Sequence, residues 1–405
     1  MANSTPDLHN TLILLSEPIR ESLSTVSSDD VSLKSLLQSL LPAPKETDFQ
    51  SLLTNFSLLC AALAASQTST FDQLSSIPPR LSTAADSAFR QLQKAFPDHQ
   101  NKDLLAELMP RVLPQLKSSI NESSIDKQDA DGDVASAASA RVPVAHAIVA
   151  AYQFKWFVTQ IDLQLLGKLC WLIIPCALTA LDHWSPEVKG QGMMVMVHLA
   201  KHVSGGEFSV YEDVMLDACC QNIASSDEIW EHVVEMSVLL VTCTQQNNPR
   251  SSWFEKVLNE MLSHLWRQPR SKERRIAWLT HIEPLFSGMG IVLLGHFRRL
   301  LPLFFKWMHA DDDATVLLVL DRVKTVIKFT WIRYSQYYDK LVDELVILYK
   351  DASLKVERES IRARILEILI LLQQCQGQQF EAAWIKHKHD PNLSTLCPSL
   401  TCCSS

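Results

Sequence analysis

The sequence predicts an all-α protein, a HEAT/armadillo-like α-solenoid of stacked antiparallel helix pairs. Three observations predict it: helical spacing of apolar residues, helix starts that recur at a steady interval, and a shortage of glycine. Ile361, Ile365, Ile368, Leu369 and Leu372 fall on one helical face, and so do Val316, Val319, Val323, Val326 and Thr330. First helices are expected to start near Asp162, Phe208, Ser251, Met289 and Gln336, in steps of 46, 43, 38 and 47 residues, close to the ~40–47-residue period of HEAT and armadillo repeats. A lone helix pair cannot bury its apolar face and must stack on the next. Ten glycines in 405 residues, against a usual share of about 7%, leave few for the strand–helix turns of a nucleotide-binding α/β enzyme.

Taken in order, residues 1–119 form an amino-terminal helical region, with helices near 31–41, 48–66, 81–96 and 101–117. The first twenty residues carry Asp7 and Glu17 and no basic stretch, so no signal peptide is expected. Thr47 followed by Gln50 reads as a capping box. Apolar content collapses between Ser118 and Arg141, which places a linker at 120–142. The helical repeats then occupy 143–390, and 391–405 is a polar, cysteine-bearing tail. Within the repeats, Ser185-Pro186-Glu187 supplies an N-cap, a first-turn proline and an acid at the positive end of the helix dipole. Ser226-Asp227-Glu228 and Asp311-Asp312-Asp313 open helices in the same way. Pro175 and Pro302 lie inside first helices, where proline introduces a kink.

Thirty-seven basic against 45 acidic residues leave a net charge of −8, which argues against nucleic acid as a ligand. The longest apolar run, Leu169 to Leu181, is shorter than the ~20 residues of a membrane span, so no membrane partner is expected. The ten cysteines are scattered without a C-x-x-C pair, as in a reducing compartment. The expected location is the cytoplasm, with the nucleus as a second compartment.

No motif carries chemistry. Asp129, Asp131 and Asp133 suggest a calcium loop, but Val134 and Ala140 stand where an EF-hand needs Gly and Glu. His198 and His202 are four apart on a helix, yet Leu199 occupies the zincin glutamate position. The basic run Arg267, Arg270, Lys272, Arg274 and Arg275 reads as a solvated inter-helix loop. Cys402-Cys403-Ser404-Ser405 lacks the aliphatic middle of a prenylation box. No G-x-S-x-G or Walker loop appears. The expectation is a non-enzymatic protein with no cofactor and no metal.

Ten tryptophans are many for this length, and Trp253, Trp266, Trp278, Trp307 and Trp331 fall close together. Most are expected in the core, with some facing outward as interface residues. In the same region the chain becomes recognisable. Arg275-Ile276, Glu283-Pro284-Leu285, Gly288-Met289-Gly290-Ile291, His296-Phe297-Arg298-Arg299-Leu300, Trp307-Met308 and Thr330-Trp331 resemble the Tel-two-interacting protein two family. So does the stretch Leu181 to Gly192, although His183 stands where that family has a second aspartate. The resemblance covers about 162–375.

The resemblance implies a scaffold subunit of the Triple T co-chaperone complex, with Tel-two and Tel-two-interacting protein one as partners. It further implies work with the heat-shock-protein-ninety system and RuvB-like ATPases on phosphatidylinositol-3-kinase-related kinases. A karyopherin-like transport adaptor is the alternative for an acidic helical solenoid. Partner contact is expected at Arg298, Arg299, Trp307 and Trp331, together with the acidic turn Asp311, Asp312 and Asp313.

Overall fold

The computed structural model describes residues 5–25, 31–42, 48–95, 104–122, 143–332, 336–388, 390–393 and 396; among these there is no strand. The chain divides into two compact units, residues 1–218 and 219–405. The expected linker runs past the end of a helix at Glu122, and its remaining residues, like the candidate calcium loop, lie outside the described ones.

The first unit contains α1 (Thr5–Thr25), α2 (Val31–Ser39), α3 (Phe49–Ala65), α4 (Asp72–Ser75), α5 (Pro79–Ala95), α6 (Leu104–Glu122) and α7 (Val144–Gln160). These are followed by α8 (Leu163–Leu166), α9 (Cys170–Asp182) and α10 (Pro186–His202), while α11 (Glu212–Asn222) carries the boundary. α3 packs on α5, α6 on α7 and α9 on α10; α3, α7 and α10 lie side by side, as do α6 and α9. α3 is the central helix because it is apolar nearly all round: most of it from Leu52 to Ala65 is buried. Its N-cap is Asp48, whose carboxylate accepts the Gln50 N–H at 3.1 Å and the Ser51 hydroxyl at 2.8 Å, so the start sits one residue beyond the expected Thr47. At the α9–α10 crossing, a Cβ on Gly192 would stand 2.9 Å from the Ala180 Cβ, and only glycine permits that approach.

The second unit contains α12 (Trp230–Thr244), α13 (Ser252–Arg267), α14 (Lys272–His281), α15 (Glu283–Met289), α16 (Phe297–Met308) and α17 (Asp313–Thr330), then α18 (Tyr338–Ser353), α19 (Glu359–Cys375) and α20 (Gly377–Trp384). Here the repeat is explicit. First helices α13, α16 and α18 begin at 252, 297 and 338, which are 45 and 41 residues apart. They form one layer, each against the next, and second helices α12, α14, α17 and α19 form the other. This two-layer stack is the HEAT/armadillo-like all-α architecture expected from the sequence. The start expected at Met289 falls later because Gly290 takes a left-handed φ of 51° and a 3-10 segment, Gly290–His296, intervenes before α16.

Pro175 and Pro302 lie in the second turns of α9 and α16, each helix preceded by a 3-10 segment. The helical stretches Leu163–Asp182 and Glu283–Met308, both longer than the apolar run counted in the sequence, have the length and composition of membrane spans. Each buries an apolar face on protein: Ile173, Ile174, Ala177 and Ala180 in one, Leu300, Leu301 and Phe304 in the other. The expected polar tail begins with a 3-10 turn, Pro391–Leu393, where Leu393 is buried, as is Leu396. Cys397, Cys402 and Cys403 lie outside the described residues.

Candidate protein-interaction surface

In the second unit the turns between first and second helices carry alternating charge. Before α12 stands Asp227; at the start of α14 stand Lys272, Arg274 and Arg275; at the start of α17 stand Asp312 and Asp313; before α19 stands Arg358. Each step pairs with the next. Arg274 Nε donates to Asp227, and its Nη2 donates to the Ser225 carbonyl at 2.8 Å. Lys272 and Arg275 lie 3.7 and 3.6 Å from the Asp312 carboxylate, and Arg358 lies 2.8 Å from Asp313. Three residues of the basic run, Lys272, Arg274 and Arg275 in the first turn of α14, are therefore a rung of a charge ladder, while Arg267 and Arg270 stand exposed. Arg274 is buried, stacked 4.5 Å over the Trp230 ring, while Trp230 Nε1 donates to the Arg274 carbonyl at 3.2 Å.

Asp312 is also the N-cap of α17, its Oδ1 accepting the Thr315 N–H at 2.8 Å. Burial acts to raise its pKa, but the Thr315 hydrogen bonds, Lys272 and Arg275 outweigh it and hold the carboxyl below its ordinary value. The acids expected to await a basic partner are thus mostly engaged at home. Only Asp311 stands exposed without an ion pair among the described residues.

The seven residues expected at a partner contact are not brought together. α16 and α17 are antiparallel neighbours, so Arg298, Arg299 and Trp331 lie at one end of the hairpin and Trp307 with Asp311–Asp313 at the other. At ~1.5 Å per residue Trp307 lies about 14 Å along α16 from Arg298, and Asp313 about 27 Å along α17 from Trp331. Trp307 is core, 2% exposed, 5.9 Å centroid to centroid from Trp278 in a cluster with Phe286 and Phe304. It is no surface anchor. Arg299 is turned onto α13, donating to Asn259 Oδ1 at 2.6 Å and to the Ser263 hydroxyl at 2.8 Å. Arg298 is exposed, and Trp331 is 60% exposed.

Trp331 is held outward by its backbone. It caps α17 in the left-handed region with φ 54°, and Ile332 follows at φ 39°. Both are non-glycine residues, for which such conformations cost about 1–3 kcal/mol each. The turn is pinned because Ile332 is fully buried and its N–H donates to Thr330 Oγ1 at 3.1 Å.

In the first unit His183 is buried and its Nδ1 accepts the Ser185 N–H at 3.0 Å. An imidazole acceptor thus does there what a carboxylate does at an Asx turn. Ser185 then turns its hydroxyl to Glu187 at 2.5 Å instead of capping the α10 backbone. His198 and His202 face each other on α10 at 4.7 Å between ring centroids, and burial with the neighbouring charges of His202 and Lys201 lowers the His198 pKa. Among the described residues no three His, Cys, Asp or Glu side chains gather as a metal site would require.

Comparison with known proteins gives this arrangement a family. The Tti2 family model matches residues 82–310, more than half of the chain, and starts within α5, well before the region that carried the resemblance in the sequence. An uncharacterized protein of Arabidopsis thaliana is 52% identical over 98% of this chain and 95% of its own length. The TELO2-interacting protein 2 of Mus musculus is 23% identical over 56% of this chain and 48% of that protein. Among solved structures, Kap95p from a complex with RanGDP is similar at TM-score 0.48 and 13% identity, covering 95% of this chain and 55% of that one. Kap121p follows at TM-score 0.36 and 12% identity, covering 95% and 46%. The chain thus spans about half the length of these two helical-repeat proteins. By the family match over more than half of its length, the chain belongs to the Tti2 family.

Proposed function

We propose that this chain is a non-enzymatic scaffold subunit of a Triple T-type co-chaperone, binding Tel-two-type and Tel-two-interacting-protein-one-type partners. Its output is the maturation of phosphatidylinositol-3-kinase-related kinases with the heat-shock-protein-ninety system and RuvB-like ATPases, in the cytoplasm with a nuclear fraction. The observation that carries this reading is the family membership over residues 82–310. The fold supports it: two layers of stacked helices offer continuous side-chain surfaces, and proteins of this build act through large-area contact. Of the seven residues expected at a contact, those left for it are Arg298, Trp331 and Asp311, since Asp313, though exposed, is paired with Arg358. Trp and Arg are the side chains that dominate binding energy at protein interfaces.

The test is depletion of this chain from its own cells, with kinase protein and messenger levels followed together. The expected outcome is a fall in kinase protein at constant messenger, restored by the wild-type chain. Unchanged kinase protein after complete depletion contradicts the proposal.

A further inference from the structure

A second surface lies in the first unit. α5 and α7 both pack on α3, and between them, above the carboxy-terminal end of α3, is a groove of about 550 Å³. One wall is the polar stripe of α7, Tyr152, Lys155, Trp156 and Thr159, and the other presents Thr83, Asp86 and Arg90 of α5. The floor is fixed. Tyr152 is buried with its hydroxyl 3.2 Å from both the Thr70 amide and the Thr70 hydroxyl. Trp156 is wedged edge-to-face against Phe89 at 5.0 Å and Phe157 at 5.2 Å, and remains half-buried, with part of its surface open to the groove.

The charges do not balance in the groove. Asp86 is taken by Arg90 of its own helix at 2.9 Å. Lys155 is half-buried and has no carboxylate partner among the described residues. Its ammonium is desolvated enough to lower its pKa, with only the Tyr152 phenol acting the other way. A half-buried cation without a counter-ion is costly, and an anion entering the groove removes that cost.

We propose that this groove binds an acidic peptide segment of a protein partner, one carboxylate pairing with Lys155 and an adjoining apolar side chain covering Trp156. The carboxylate gains a charge-assisted hydrogen bond in a partly dry site, and the aromatic wall rewards an apolar neighbour that free phosphate lacks. The site lies wholly in the first unit and involves none of the residues named for the partner contact of the second.

The test uses the full chain and a fluorescein-labelled heptapeptide of alternating glutamate and leucine. Its glutamine-for-glutamate counterpart and inorganic phosphate serve as controls. Fluorescence polarisation is expected to give saturable binding of the acidic peptide, at least tenfold weaker for the glutamine peptide. Lys155→Met is expected to lose at least tenfold, Lys155→Arg to retain binding, and Trp156→Leu to weaken it at a temperature where that variant is still folded, although losing the Phe89 and Phe157 contacts lowers its melting temperature. Absence of saturable binding, equal binding of the two peptides, full binding by a folded Lys155→Met chain, or displacement by phosphate as effective as by unlabelled acidic peptide would each overturn the proposal. If Lys155→Met does not fold, the glutamine and phosphate comparisons on the wild-type chain decide.

Discussion

Arg275 Nη2 lies 3.6 Å from Asp312 Oδ2, so the acid that opens α17 is neutralised by the preceding second helix of the stack. That relation changes what charge reversal in this turn does. Asp311 is exposed, and Asp311→Lys is expected to cost under about 0.5 kcal/mol. Asp312→Lys removes an N-cap worth about 1 kcal/mol and sets a third cation beside Lys272 and Arg275. It is expected to lower stability by about 2 kcal/mol, read from denaturant midpoints of the two variants.

Asp312 also has a pH signature. Its folded pKa is below the unfolded one, so its contribution is fully present above about pH 4 and is lost as the pH falls through the folded value. Asp312→Asn is therefore expected to be less stable than wild type at pH 7, with the gap closing towards pH 2. Denaturant titrations at the two pH values check this. A gap that widens in acid contradicts the sign.

The two tryptophans at opposite ends of the α16–α17 hairpin are expected to behave oppositely. Trp307→Ala empties part of an aromatic cluster and is expected to cost about 3–5 kcal/mol. Trp331→Gly relieves a left-handed backbone at an exposed position and is expected to leave the melting temperature unchanged or raise it. Differential scanning calorimetry of both variants separates core from surface.

Buried thiols are expected to be inert. Burial pushes Cys176 and Cys219 each up to about 12 and Cys170 up to about 11. At pH 8 the native chain is expected to leave Cys176 and Cys219 unalkylated by iodoacetamide over the time in which denatured protein reacts fully, as mass spectrometry of peptides shows.

Much of this fold is legible in the sequence because helical periodicity and capping are local. Ile361, Ile365, Ile368, Leu369 and Leu372 are all buried, as their spacing requires. The same periodicity argues against the partner contact expected at Trp307: with Leu300, Leu301, Phe304 and Met308 it completes one buried face of α16, and that face outweighs the side-chain type on which the expectation rested. What local pattern does not carry is pairing between repeats. Asp312 reads correctly as a helix-opening acid, but its cations lie on α14, and only stacking brings them to it. The groove of the first unit left a fainter trace. Tyr152, Lys155, Trp156 and Thr159 share one face of an otherwise apolar α7, and the wall opposite comes from α5, across the region where the linker was expected.

The most direct measurement of the central claim is co-expression of the full chain with the Tel-two homologue and the Tel-two-interacting protein one homologue of its own organism, followed by size-exclusion chromatography with light scattering. One co-eluting peak whose mass includes this chain is expected. Trp331→Ala with Arg298→Ala is expected to weaken that association by at least tenfold while the chain melts like wild type. Elution of a folded wild-type chain apart from both partners at micromolar concentration would contradict the claim.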